Sequence, residues 1–141
     1  MLARIRKAQE EHEGGFTLIE LLVVIIIIGI LAAIAIPVFL NQRAKATESG
    51  MKSDLRMVAN QLETYFTDAQ EYPAEVDVTQ AAAGAVLDVD GTNVEISDVE
   101  TIMDYTLAAD GQSYCVDATN VKVDNDWSYG SADGGLALGG C

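Results

Sequence analysis

Three patterns of apolar and polar positions follow one another along the chain. From Leu21 to Leu40, twenty consecutive residues carry no charge. As a helix that run spans about 30 Å, the thickness of a hydrocarbon core. Its Ile and Val content would suit a buried strand, but a lone strand cannot satisfy its backbone in lipid and a helix can, so the run is predicted helical. After Leu40 the pattern becomes one-sided: Met51, Leu55, Val58, Leu62 and Tyr65/Phe66 recur at steps of three and four, the stripe of an amphipathic helix. The helix is expected to reach about Ala69, with Pro73 barring further extension.

The third pattern is short and strand-like. Val86-Leu87-Asp88-Val89, a turn at Asp90-Gly91 and Val94-Glu95-Ile96 predict one hairpin. Tyr105-Thr106-Leu107-Ala108, a turn at Asp110-Gly111 and Ser113 to Val116 predict another, Asp-Gly being a strong hairpin signal. Val121-Lys122-Val123 is expected to add a strand. Ser97-Asp98-Val99-Glu100 has the form of a capping box, predicting a short helix over Asp98 to Met103. The fold class is therefore α+β: a long N-terminal helix, half membrane-type and half amphipathic, packed on one antiparallel sheet of four or five strands.

Charge refines this picture. The formal net charge is −14, and residues 57–141 hold sixteen acids against one base, Lys122. Between Gln42 and Arg56 the sign reverses, with Arg43, Lys45, Lys52 and Arg56 against Glu48 and Asp54. So acidic a domain repels phosphate backbones, which argues against direct nucleic-acid binding and fits a solvated, soluble face. Asp88-x-Asp90-Gly91-x-Asn93 has some likeness to a calcium loop, but an EF-hand needs Gly at its sixth position and Glu at its twelfth. A hairpin turn explains the stretch, and no metal or other cofactor is expected. The sole histidine, His12, lies near the start, and no nucleophile–base pair stands out, so no catalytic residue is assigned and the chain does not read as an enzyme. Trp127 and Tyr129 read as packing anchors.

Two cysteines, Cys115 and Cys141, lack the spacing of a metal knuckle or of a C-x-x-C motif. With the C-terminal part outside the cell they read as a disulfide, worth about 3.5 kcal/mol by loop entropy and able to tether the Gly-rich tail. Orientation by positive charge is nearly a draw, since bases lie on both sides of the apolar run; the cysteine pair decides for an exported C-terminal side.

The start of the chain is unusual. A secretory signal places its apolar core before the cleavage site. Here a charged leader ends in Gly14-Gly15 and the apolar run follows, so cutting after Gly15 would leave that run in the mature protein, starting at Phe16. Glu20 is a further oddity, because a carboxylate within a membrane helix costs about 2.5–3.5 kcal/mol on insertion scales. At a helix N-terminus the macrodipole offsets part of that cost.

The stretch Gly15-Phe16-Thr17-Leu18-Ile19-Glu20-Leu21-Leu22-Val23-Val24 closely resembles the class III signal of type IV prepilins, over roughly residues 12–42. The resemblance implies that a membrane-embedded prepilin peptidase cleaves after Gly15 and methylates the new N-terminus at Phe16. It implies that Glu20 pairs with the terminal amine of a neighbouring subunit, each group lowering the other's desolvation cost. It also implies that Gly29 and Pro37, which weaken the helix, bracket a stretch that loosens in assembled filaments. The expected organisation is a cleaved leader at 1–15, a transmembrane or filament-core helix at 16–40, an amphipathic continuation at 41–72, and an acidic strand-rich domain at 73–141 closed by the Cys115–Cys141 loop.

The function so implied is a structural subunit of a type IV pilus. It would be stored in the cytoplasmic membrane with its C-terminal domain outside, then polymerised with its own copies into a surface filament by an assembly platform and ATPase. Alternatives are a pseudopilin of a type II secretion or DNA-uptake system, and a signal-anchored binding domain that never polymerises. The cysteine pair tilts towards a pilin. Such filaments serve adhesion, twitching, DNA uptake or conduction, and nine aromatics in the whole chain give conduction by stacking little support.

Overall fold

A computed structural model describes residues 15–75, 78–80 and 86–141. The leader expectation, apart from Gly15, lies outside these residues. The described chain is one long helix, α1 (Leu18–Ala69), followed by seven strands. It divides into two units, residues 1–40 and 41–141.

In the first unit α1 begins at Leu18 and stays helical through Gly29 and Pro37. Every residue from Gly15 to Leu40 is exposed except Ala32, which is half-buried, so nothing among the described residues covers these apolar side chains. A water-soluble helix would bury one stripe of such a surface; this one presents apolar groups all round.

In the second unit α1 presents Met51, Leu55, Val58, Ala59 and Leu62 to the core, all almost fully buried. The helix stops at Ala69 because Gln70 turns into the left-handed region, with φ 62°. The Gln70 N–H and side-chain amide cap the open carbonyls of Phe66 and Thr67. The stop therefore comes before Pro73, whose buried carbonyl instead accepts the Tyr105 hydroxyl at 2.9 Å.

The strands form two antiparallel sheets where one was expected. The first has the order β1 (Val78–Gln80), β2 (Val86–Val89), β3 (Thr92–Glu95); the second is a meander of β4 (Thr101–Leu107), β5 (Tyr114–Asn120), β6 (Trp127–Gly130) and β7 (Gly135–Leu138). The Gln80 side chain joins the two, donating to the Thr101 carbonyl and accepting from the Met103 N–H, both at 2.7 Å. Alternation along β4 and β5 sends Met103, Tyr105, Tyr114, Val116 and Ala118 into the core with the helix stripe. Both expected hairpins are present. Asp90 and Gly91 have φ 46° and 81°, so the β2–β3 loop is the two-residue turn with both centres left-handed that matches strand twist.

Two local expectations are corrected. The helix predicted over Asp98 to Met103 is a turn leading straight into β4. The Asp98 carboxylate accepts the N–H of Glu100, and its carbonyl that of Thr101, closing the turn. Thr101, 1 % exposed, then accepts a hydrogen bond from the Asn120 side chain and starts the strand. Val121-Lys122-Val123 is likewise a turn, because Asn120 draws the Lys122 N–H to its own side chain and the Val123 N–H to its carbonyl. Lys122 then reaches Asp98 at 2.7 Å and Glu100 at 3.3 Å. That contact holds the Asp98 carboxyl below its ordinary value, chiefly by hydrogen bonding.

Candidate assembly segment

The residues around the expected processing point form a specific local structure. Thr17 is the N-cap of α1. Its carbonyl accepts the first helical bond, from Leu21, and its hydroxyl accepts the N–H of Glu20. The Glu20 carboxylate folds back to accept the Thr17 N–H at 2.9 Å and the Thr17 hydroxyl at 2.7 Å. This is a reciprocal capping box, and Thr17-x-x-Glu20 is its sequence signature. The sequence places Glu20 near a helix N-terminus or opposite a neighbour's amine; the local Thr17-x-x-Glu20 signature is the feature those readings passed over.

Gly15, Phe16 and Glu20 are all exposed, Phe16 to 87 %. A Cβ built on Gly15 or on Gly29 would meet nothing, so neither glycine is held there by close packing inside the chain. The segment therefore presents an exposed Gly15–Phe16 pair, a largely solvent-exposed aromatic ring, and a carboxylate fixed one turn into an apolar helix.

At the other end, Cys115 and Cys141 are joined in a disulfide across 26 positions, with Cα atoms 6.0 Å apart. The tail they tether is more ordered than its glycine content suggests. β7 pairs with β6, Gly139 donates to the Asp126 carbonyl, and Cys141 donates to the Asp117 carboxylate at 2.7 Å. Both sulfurs that neighbour Asp117 are thus spent in the disulfide. In the Asp88–Asn93 stretch, the Asp88 carboxylate accepts the Gly91 N–H at 3.0 Å, an ordinary role for an aspartate in a turn.

Trp127 and Tyr129 both pack against the core, and the Lys52 ammonium lies 3.6 Å from the centre of the Trp127 ring. One structural feature of the fold was missed: Asp54 is 1 % exposed within the helix stripe. An acid at an inward step of an apolar stripe is the signal that could have found it, because such a carboxylate needs donors.

Residues 12–36 match the prokaryotic N-terminal methylation motif. The chain is 38 % identical over 65 residues to the type II secretion system core protein G of Aeromonas hydrophila, covering 46 % of each chain. It is 45 % identical over 58 residues to the type IV major pilin protein PilA of Myxococcus xanthus, covering 41 % of this chain and 26 % of the relative. It is 47 % identical over 59 residues to the type IV major fimbrial protein FimA of Dichelobacter nodosus, covering 42 % and 38 %. The chain spans less than half the length of each of these relatives. Its N-terminal segment thus carries the methylation motif and is similar to that of pilins and of a secretion-system protein alike, and the long helix packed on antiparallel sheet gives the chain a pilin-like architecture.

Proposed function

We propose that the chain is a structural subunit of a type IV pilus. A prepilin peptidase removes residues 1–15, the amine of Phe16 is methylated, and the helix anchors the subunit in the cytoplasmic membrane with residues 41–141 outside. An assembly platform and ATPase then transfer it into a surface filament, where Glu20 pairs with the Phe16 amine of a neighbour. The observation that carries this reading is the apolar helix of residues 18–40, exposed at every position but Ala32, with an exposed carboxylate at Glu20, one turn from the Gly15–Phe16 bond. Moving that helix from lipid into a bundle of its copies is near neutral in apolar burial, so packing and the charged pair must supply specificity. The exposed processing bond and the tethered C-terminal domain support the same reading.

Intact-mass measurement and electron microscopy of sheared cells test it together. Loss of residues 1–15 with gain of one methyl group, in material that forms long fibres, is the expected result. Full-length monomers would overturn it. Surface attachment and twitching in the same cells then assign the role of the fibre. The identity to the type II secretion core protein G favours one second reading, a pseudopilin; processed chains lacking surface fibres, in cells that fail to secrete without them, would select it.

A further inference from the structure

The helix and the second sheet carry opposite charge on surfaces that face away from each other. Along α1, Lys45, Ser49, Ser53, Arg56 and Asn60 are exposed and fall within one narrow sector of the helix. That sector lies opposite the buried stripe of Met51, Leu55, Val58 and Leu62. Between Lys45 and Asn60 it contains two cations and no acid; Glu63, next along its edge, accepts from the Tyr72 and Tyr114 hydroxyls. Neighbouring Lys52 is already engaged over Trp127, and Glu48 accepts from Asn125. Among the described residues, Lys45 and Arg56 make no ion pair within the chain.

The outer surface of the β4–β7 sheet is the counterpart. A depression there is lined by Ile102, Asp104, Asp117, Thr119, Asp126 and Gly140. Asp104 and Asp117 sit directly opposite each other across the β4–β5 ladder. Like charges in that position destabilise the sheet unless something neutralises them. Asp117 is partly answered by the Cys141 N–H. Asp104 and Asp126 are exposed, and Ile102 is 62 % exposed beside them, an apolar floor with an acidic rim.

The helix sector and the sheet's outer surface cannot meet within one chain, because the core lies between them. We infer that the Lys45–Arg56 face of one subunit docks into the Ile102–Asp104–Asp126 depression of the next. The occupant is a second copy of this chain, identified by charge complementarity: two unpaired cations and short polar side chains against three carboxylates around an exposed isoleucine. The two patches are different, so the contact is head-to-tail; each bound copy leaves one free patch of each kind, and such a contact grows a fibre. The inference rests on the polymer reading above and adds an interface outside the apolar helix of residues 18–40.

The test reverses each patch in the full chain, expressed in cells that process and assemble it. Lys45→Glu/Arg56→Glu and Asp104→Lys/Asp126→Lys are each expected to lower filament yield at least about tenfold, since like charges would then face each other. The chain carrying all four substitutions restores complementarity and is expected to recover most of the yield. Wild-type yield from either reversed patch alone, or no recovery in the combined variant, overturns the interface. An independent measurement guards against loss of folding. In filaments mixed from Arg56→Cys and Ile102→Cys chains, mild oxidation should give a covalent dimer joining one chain of each kind. Filaments that form without this cross-link overturn the interface alone. Processed chains that stay monomeric without it overturn the polymer reading as well.

Discussion

The Asp54 carboxylate, buried in the core stripe of the helix, accepts both the backbone N–H of Ser97 at 2.9 Å and the Ser97 hydroxyl at 2.5 Å. These bonds tie α1 to the segment between β3 and β4, 43 positions along the chain. A buried carboxylate with two donors is satisfied, while the donors without it are not. Asp54→Ala is therefore expected to destabilise residues 41–141 by about 2 kcal/mol, a hydrogen bond to a charged group being worth about 1.5–3 kcal/mol. In the detergent-solubilised chain the melting temperature should fall by roughly 10 °C for a unit of this size. Ser97→Ala, which keeps the N–H, should cost about half as much. Equal losses from the two variants would mean that the hydroxyl alone carries the tie.

Tyr114 gives a pH dependence on the alkaline side. Its ring lies in the tyrosine cluster with Tyr72, Tyr105 and Tyr129, and its hydroxyl makes long contacts to the Ala59 carbonyl at 3.4 Å and Glu63 at 3.3 Å. Burial, reinforced by the nearby Glu63 carboxylate, raises its pKa strongly, and burial does the same for Tyr105. A raised folded-state value favours the protonated form in the native state. The stabilisation is thus fully present below the unfolded value of about 10 and is lost as the pH rises above it. Denaturation midpoints should fall between pH 9 and pH 11, and Tyr114→Phe should flatten that fall. At pH 7 the same variant should cost only about 0.5–1 kcal/mol, because the hydroxyl bonds are long. An unchanged alkaline slope in Tyr114→Phe would shift the effect to other groups.

The disulfide supports β7 more than it supports the core. Cys115 is half-buried on β5 and Cys141 is exposed, while Leu136 is the β7 side chain that packs on the core. Replacing both cysteines with alanine is expected to cost about 3.5 kcal/mol on the loop-entropy account. Amide exchange should accelerate first at Gly135–Leu138 and Gly139, with the β4–β5 ladder protected until global unfolding. Uniform acceleration across both sheets would show instead that the bond holds the whole domain.

What was legible in the sequence followed the strength of each local signal. The apolar run, the helix stripe and the two Asp-Gly hairpins were readable because periodicity and turn chemistry agree at those positions. β6 and β7 were not. Trp127-Ser128-Tyr129-Gly130 is only four residues long, and Gly135-Leu136-Ala137-Leu138 begins on the second glycine of a Gly134-Gly135 pair, so neither shows an alternating run of useful length. They exist because Gly130 pairs with Gly135 through a turn in which Gly134 and Gly135 have φ 85° and 114°. Two of the capping-box patterns in the chain behave differently, and one misled. At Ser97–Glu100 the buried Asp54 takes the serine hydroxyl and Lys122 takes both acids, leaving no cap to offer a helix. At Thr17–Glu20 no such competitor exists among the described residues, and the same pattern caps α1.

That cap makes the role of Glu20 separable by substitution. Within the chain its carboxylate serves as an acceptor for Thr17, a task that a neutral amide oxygen also performs. Pairing with a neighbour's amine requires the charge. Glu20→Ala removes both roles, whereas Glu20→Gln keeps the acceptor and removes only the charge. If the charge matters in assembly, both variants should be processed after Gly15 yet yield few filaments, and Glu20→Gln should show normal helix content in detergent by circular dichroism. Thr17→Ala should lose about 1 kcal/mol of helix capping and still assemble. Normal filament yield from Glu20→Gln alongside failure of Glu20→Ala would mean that Glu20 acts as a helix cap and not as the partner of an amine.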